Sequence, residues 1–377
     1  MATFRERLEA VDAAALTPLA RQALGDEAAV VTHFTITPLA GGFAGVTVGG
    51  HGTFRVSGMA GSRPWSLILK VLGRTSGTGS NDPREWNYWK REILAYQSGL
   101  LDDLPPGIAA ARCFGVVSHP RDEYWIWLED AGALSTAWDM AHYAHAARDL
   151  GRFNGTYLAG RPVPDRPWFT RGRVRNWLDL ARPILDDLPA HLAGRTRRHW
   201  LTPRTAESVA VLWRAREPML AALDALPHCL CHHDAFPRNL FVGESNTTAI
   251  DWQIMGTGAV GEEIMPLVAV SVQLMHVPPA KVRELEEAVF GNYVEGLRDA
   301  GWRGNERDVR LGYAAAAGLF GGVATVGLWP DISDARDYRD SESMIGAPID
   351  AIVDCWAEMQ EHFLKLAAEA ALLMERR

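Results

Sequence analysis

Cysteine is scarce in this 377-residue chain: Cys113, Cys229, Cys231 and Cys355 are its only four. They are too few for the disulfide framework of a small extracellular domain. Positive charge is also short. With 38 Lys and Arg against 46 Asp and Glu, the formal net charge is -8 and the pI is near 5.9. No basic stripe is available to displace counterions, so a nucleic-acid partner is not expected. The opening residues, Met1 to Glu9, lack the apolar core of a signal peptide, and a cytoplasmic location is the expectation. A single stretch reads as membrane-like, Tyr313 to Trp329, rich in Ala and Gly. It is short for a bilayer span and runs into Pro330-Asp331, so a tightly packed core helix is expected and no membrane partner. No internal repeat is present.

The chain does have material for substantial cores, being 47% hydrophobic and 22% charged, and its length suits two lobes. Its densest chemistry lies between Cys231 and Trp252, C-H-H-D-A-F-P-R-N-L-F-V-G-E-S-N-T-T-A-I-D-W. Asp234 precedes Asn239 by five residues on a loop, because Pro237 interrupts any helix there. Leu240, Phe241 and Val242 begin a strand, Gly243 to Asn246 supply a turn, and Thr247 to Ile250 return to deliver Asp251. A tight hairpin brings Asp251 back beside Asn239. Two carboxylates and an amide at this spacing fit phosphoryl transfer. One aspartate accepts the acceptor hydroxyl's proton, while an asparagine and a second aspartate hold magnesium on the phosphates. Protein kinases space the first two groups identically, but D-F-G is replaced here by Asp251-Trp252-Gln253.

At these residues the sequence resembles the aminoglycoside phosphotransferase and choline kinase-like family, whose motif is approximately H-G-D-x-x-x-x-N followed by a strand ending I-D-W or I-D-F. His232, Asp234, Asn239 and Asp251 occupy the four defining positions. The resemblance implies that Asp234 is the catalytic base, that Asn239 and Asp251 ligate Mg2+, and that His232 braces the loop. His233 departs from the pattern, standing where glycine is usual, which bears on the loop's backbone angle and on how the acceptor is seated. The fold implied is α+β and protein-kinase-like, with a β-rich small lobe over residues 1-130 and a mainly helical large lobe over 131-377.

A kinase-like core also requires a strand lysine and a helix glutamate. Ser66 to Leu72 is a nearly continuous apolar run enclosing Lys70, the composition of a buried strand. Residues Arg84 to Leu101 trace a helical stripe through Trp86, Trp89, Ile93, Tyr96 and Leu100. Glu92 stands where the family places the lysine's partner. Glu85 competes for that role, although the macrodipole alone explains an acid near a helix start. By position, the resemblance makes Gly41, Gly42 and Phe43 the phosphate cover. Leu128, Glu129 and Asp130 are assigned, on the resemblance alone, to the adenine-binding segment that follows strand Tyr124 to Leu128. ATP and Mg2+ are the implied cofactors.

Helical pattern fills Ala137 to Leu158, Val174 to Leu188, Ala206 to Leu226, Pro279 to Ala300, Val309 to Trp329 and Ile349 to Glu375. Gly256 to Ile264 reads as a flexible loop opening a helix, with Glu262 or Glu263 orienting the acceptor or an arginine, or serving only the helix dipole. The function implied is ATP-dependent O-phosphorylation of an aminoglycoside, amino sugar, choline-like or related metabolite. The acidic balance suits a cationic acceptor. The regions Trp168 to Trp177 and Trp329 to Arg339 are the expected acceptor walls. Two other readings stand beside this one: a nucleotide-binding pseudokinase, and a zinc-dependent hydrolase using the cluster His228, Cys229, Cys231, His232 and His233. The sequence carries no signal of oligomeric state.

Overall fold

Asp12 and Gly25 frame the first well-formed helix: the Asp12 carboxylate accepts the Ala15 N–H at 2.8 Å, and Gly25 closes the C-terminus at φ 62°. These are ordinary start and stop devices. A computed structural model of the chain describes residues 4–39, 50–74, 79–133, 137–193, 201–328 and 335–376. Gly41, Gly42 and Phe43 lie outside the described residues. The chain divides into two compact units, residues 1–104 with 109–133, and residues 105–108 with 134–377.

In the first unit, α1 (Phe4–Glu9) and α2 (Ala13–Leu24) precede strands β1 (Val31–Leu39), β2 (Gly50–Ala60) and β3 (Arg63–Gly73). Next come α3 (Arg91–Gln97) and a 3-10 turn at Leu100–Asp103, and the short β4 (Ile108–Ala110) starts on the last residue of the 105–108 segment. Strands β5 (Cys113–His119) and β6 (Glu123–Glu129) then complete an antiparallel five-stranded sheet in the order β1-β2-β3-β6-β5. Alternation along the strands sorts the side chains onto two faces. Val56, Leu67, Leu69, Val71, Trp125 and Trp127 build the core with Leu16 and Ala20 of α2. Lys70 faces the other way.

The expected helix over Arg84 to Leu101 is much shorter than its aromatic stripe suggested. Only Arg91–Gln97 is α-helical, with a 3-10 turn from Leu100. The fully buried Arg91 guanidinium donates to the carbonyls of Glu85 and Trp86, both at 2.7 Å, and so fixes 83–86 as loop. Trp86 and Trp89 fill this loop and are not a helix stripe. The small lobe also holds α2, longer than α3 and framed by the caps Asp12 and Gly25.

The second unit holds α4 (Met140–Leu158), β7 (Thr170–Arg171), α5 (Arg173–Leu185), α6 (Leu188–Ala193), α7 (Pro203–Arg214) and α8 (Arg216–Ala225). Strands β8 (His228–Cys231), β9 (Leu240–Val242), β10 (Thr247–Ala249) and β11 (Gly256–Ala259) come next, followed by α9 (Met265–Gln273) and α10 (Val282–Asp299). The chain ends with α11 (Glu306–Leu319), α12 (Thr325–Leu328), α13 (Ala335–Ile345) and α14 (Ile349–Glu375). Helices α4 and α10 approach closely because Gly151 and Gly296 lie at their crossing. A Cβ on Gly151 would fall 2.2 Å from the Tyr293 carbonyl oxygen, and one on Gly296 would fall 2.0 Å from that of Arg148.

Gly256 to Ala259, expected as flexible loop, is strand. β11 pairs antiparallel with β8, Gly256 opposite Cys231, and parallel with β7, Gly256 opposite Thr170. A side chain at Gly256 would strike the Thr170 carbonyl oxygen at 2.0 Å, so the glycines serve close strand approach. The apolar helix is interrupted: α11 passes through a π-helical turn at Phe320–Ala324 into α12. Among the described residues, Glu306–Leu328 is the one helix long and apolar enough to cross a membrane, and 89% of its apolar window is buried within the protein.

Candidate active site

β8 ends at Cys231 and hands the chain to a loop whose every early N–H has a named acceptor. The Glu263 carboxylate takes the His232 N–H at 2.7 Å and the His233 N–H at 3.1 Å. His232 Nδ1 then accepts the Asp234 N–H at 3.2 Å, and its Nε2 lies 2.9 Å from the Ile250 carbonyl oxygen. Those two contacts fix the tautomer, since Nε2 carries the proton it donates to Ile250. Its ring also meets Trp252 edge-on, centroids 4.5 Å apart. His232 thus ties the residue before Asp251 to the residue bearing the Asp234 carboxylate.

Asn239 completes the loop. Its side-chain nitrogen donates to the Asp234 carbonyl oxygen at 3.0 Å and to Asp234 Oδ2 at 2.8 Å. Its backbone carbonyl accepts the Ile250 N–H at 2.9 Å. With the amide nitrogen so engaged, Oδ1 is the Asn239 atom suited to a cation. β9 and β10 pair in the expected hairpin, Leu240 opposite Ala249, and Asp251 follows in left-handed conformation at φ 66°, ψ 62°. Asp234, Asn239 and Asp251 are therefore linked through His232 and Ile250 by hydrogen bonds. Amide and carboxylate oxygens are hard donors of the kind Mg2+ takes when a nucleotide supplies the remaining ligands.

His233 adopts φ 67°, the conformation that favours glycine and costs another residue about 1 kcal/mol. Glu263 holds it there. The buried His233 ring packs on Gly258, where an added Cβ would lie 2.7 Å from His233 Cε1. Glycine has in effect moved from the loop to the facing strand. Glu262 and Glu263 are both buried and act on backbone, which corrects the expectation that either addresses the acceptor. Glu262 accepts the Ala259 N–H at 3.0 Å. Burial pushes the Glu263 carboxyl up to about 7, while the His232 and His233 N–H groups pull the other way. Glu262 is likewise pushed up to about 7 by burial, against the Ala259 N–H and the Arg173 charge. The clamping role of Glu263 was missed because it is set by tertiary packing, 31 residues from His232.

The cysteines and histidines around β8 do not form a metal cluster. Cys229 and Cys231 are buried with Sγ atoms 3.7 Å apart, and burial drives the Cys231 thiol well above its ordinary range. His228 Nδ1 lies 2.7 Å from the Leu226 carbonyl oxygen. Among the described residues no three His, Cys, Asp or Glu side chains gather to hold a metal. The zinc hydrolase reading has no site here.

The first unit contributes its own charged pair. Lys70 Nζ lies 2.5 Å from Glu92 Oε2, both side chains buried, so Glu92 and not Glu85 partners the lysine. Leu128 lies on the Lys70 face of the sheet, opposite Ile68. The Glu129 carboxylate accepts the Arg112 N–H at 3.2 Å, and Asp130 binds Arg55 and Ser66. What Glu129 and Asp130 leave for a nucleotide is mainly backbone. Of the expected acceptor walls, Trp168 is buried, whereas the half-buried Trp177 lies beneath the Arg173 guanidinium at 4.0 Å and against Phe320. Residues 329–334 of the second wall lie outside the described residues.

Comparison with known proteins agrees with this geometry. Residues 123–303 match the model of the phosphotransferase enzyme family, APH. A search of curated proteins by sequence finds no match. Among solved structures, an amicoumacin kinase in complex with AMP-PNP, Ca2+ and Ami is similar at 14% identity, covering 96% of each chain with a TM-score of 0.53. A choline kinase from Cryptosporidium parvum Iowa II is similar at 12% identity, covering 89% of this chain and 90% of its own, with a TM-score of 0.50. Residues 123–303 therefore match the phosphotransferase enzyme family, and the chain has a protein-kinase-like fold.

Proposed function

We propose that the protein transfers the γ-phosphoryl group of a magnesium-bound nucleoside triphosphate, with ATP the first to be assayed, to a hydroxyl of a small cationic metabolite. Aminoglycosides, amino sugars and choline-like alcohols are the acceptor classes. The observation that carries the reading is the double donation of Asn239 to Asp234, which fixes the carboxylate and turns the amide oxygen away from it. Asp234 is the group that takes the acceptor's proton, a role worth roughly two to four orders of magnitude in rate. Asn239 Oδ1 and the Asp251 carboxylate would hold Mg2+, which when bound neutralises charge on the transferring phosphoryl group. Lys70, held by Glu92, would meet the non-transferred phosphates. His232 holds the two metal-side residues in register with the base.

The family match and the acidic balance of the chain support this reading. The test is ADP release from MgATP against a panel of aminoglycosides, amino sugars, choline and other small alcohols, with Asp234→Ala as the blank. Acceptor-stimulated release that falls at least a hundredfold in the variant, at unchanged melting temperature, is the expected result. Nucleotide binding with no release for any acceptor would favour a pseudokinase instead.

A further inference from the structure

Strand register places a second polar group on the Lys70 face of the small-lobe sheet. Paired residues of an antiparallel sheet share a face. One row crosses Thr53, Lys70 and Ile126, and the next on that face crosses Arg55, Ile68 and Leu128. Ser66 lies one row further along. Moving away from Lys70, the face therefore runs from cation to an apolar slot of Ile68 and Leu128, and then to Arg55, Ser66 and Asp130. Two residues along a strand cover about 7 Å, so a nucleotide whose phosphates meet Lys70 and which runs toward Arg55 would set its base over that slot and its base edge toward Arg55.

The Arg55 side chain is tightly held. Its Nε lies 2.7 Å from Asp130 Oδ2, and Nη2 lies 3.1 Å from Asp130 Oδ1 and 3.2 Å from the Gly132 carbonyl oxygen. Asp130 Oδ2 also accepts from the Ser66 hydroxyl, and Oδ1 accepts the Gly132 N–H at 3.1 Å. Both carboxylate oxygens are thus doubly occupied, and the Gly132 carbonyl is engaged as well. The other terminal nitrogen, Nη1, makes no hydrogen bond among the described residues, and the Arg55 side chain keeps 35% of its surface exposed. Among the described side chains, this cluster offers a base the Nη1 donor, while the Asp130 oxygens are already engaged.

We propose that Arg55, aligned by Asp130, reads the edge of the nucleobase and selects guanine over adenine. The inference rests on the phosphotransferase reading and names the nucleotide that site takes. Guanine presents the acceptors O6 and N7 where adenine presents N6–H2 beside N7, and a guanidinium can only donate. Adenine would set its amino group against Nη1, donor against donor.

The test is equilibrium binding of GTP, ITP and ATP with MgCl2 and no acceptor, on wild type and Arg55→Met, with thermal melting to establish folding. ITP carries O6 without the 2-amino group and so isolates the contact. GTP and ITP are expected to bind roughly tenfold or more tightly than ATP, and Arg55→Met is expected to erase the difference. Equal or tighter binding of ATP by wild type, which needs no variant, would overturn the inference while leaving the phosphotransferase reading intact. So would a guanine preference that survives in folded Arg55→Met. Failure of all three triphosphates to bind would overturn both.

Discussion

Two buried glutamates, one in each unit, solve the same electrostatic problem differently. Glu92 is neutralised by a side-chain cation, Lys70 at 2.5 Å. Glu263 is met by main chain, the N–H groups of His232 and His233. In the first case the carboxylate keeps a long flexible side chain in one place. In the second it dictates a backbone conformation, including the left-handed turn at His233. An isolated buried carboxylate is strongly disfavoured, so each acid survives through its donors. The contrast teaches what each unit must hold still: a charge in the small lobe, a loop in the large one.

The largest effect should come from Glu92→Gln, which leaves the Lys70 ammonium buried beside a neutral amide. A loss of about 3 kcal/mol in unfolding free energy is expected, measured by urea denaturation. The double variant Lys70→Met with Glu92→Gln should recover most of that stability while remaining inactive. Recovery of both would break the assignment of Lys70 to the nucleotide and make the pair purely structural, and recovery of neither would show that the loss in Glu92→Gln does not come from the unpaired Lys70 charge.

Glu263→Gln should separate stability from activity. The folded Glu263 carboxyl titrates at about 7 against an ordinary value of 4.5, so the folded protein retains a proton that the unfolded chain has released. Its stabilisation is complete below about pH 4.5 and lost as pH rises through about 7, on the order of 3 kcal/mol. The variant lacks this titration, so the stability advantage of wild type over Glu263→Gln should shrink across that window. Activity should not follow it. The variant sets an amide N–H against one of the two backbone donors, and kcat is expected to fall about tenfold or more even above pH 7. A pH-independent stability difference would show that Glu263 is not the buried acid described.

The smallest effect sharpens the loop side of the comparison. Gly258→Ala should cost about 1 to 2 kcal/mol by forcing a methyl against the His233 ring, and His233→Gly should relieve that clash in the double variant. Additive losses would mean that His233 and Gly258 are independent.

Much of the site was legible because it is local. Asp234, Pro237, Asn239, the 240–249 hairpin and Asp251 fall within 18 residues, where turn chemistry and strand pattern are reliable guides. Lys70 in its apolar run was legible for the same reason. The helix over 84–101 was misread because aromatic residues at helical spacing can equally fill a loop nailed down by a buried arginine. Helices α7 and α8, expected as one, part at Ala215, where φ is -95° and ψ is 13°; Pro218 in the first turn of α8 is the signal that marks the break. β11 was missed since its glycines meet partners distant in sequence. The Glu263 clamp and the Arg55 cluster join residues 31 and 75 positions apart, and nothing in either neighbourhood names its partner.

The π-helical turn at Phe320–Ala324 makes the helix from Glu306 to Leu328 a rod in two phases. Such a turn accommodates a residue that the α-helical repeat would not, which advances everything after it by about 100° around the axis. Phe320, against Trp177, stands at the change of phase, and Gln360 of α14 caps the carbonyl of Gly322 within it. Loss of one residue there would restore a continuous α-helix and rotate Thr325 to Leu328 away from α5, where Gly327 now fits against Ala181. The helix thus carries a built-in frameshift: the face shown to the Trp177 region can be exchanged by a single-codon change, without rewriting the rest of the lobe.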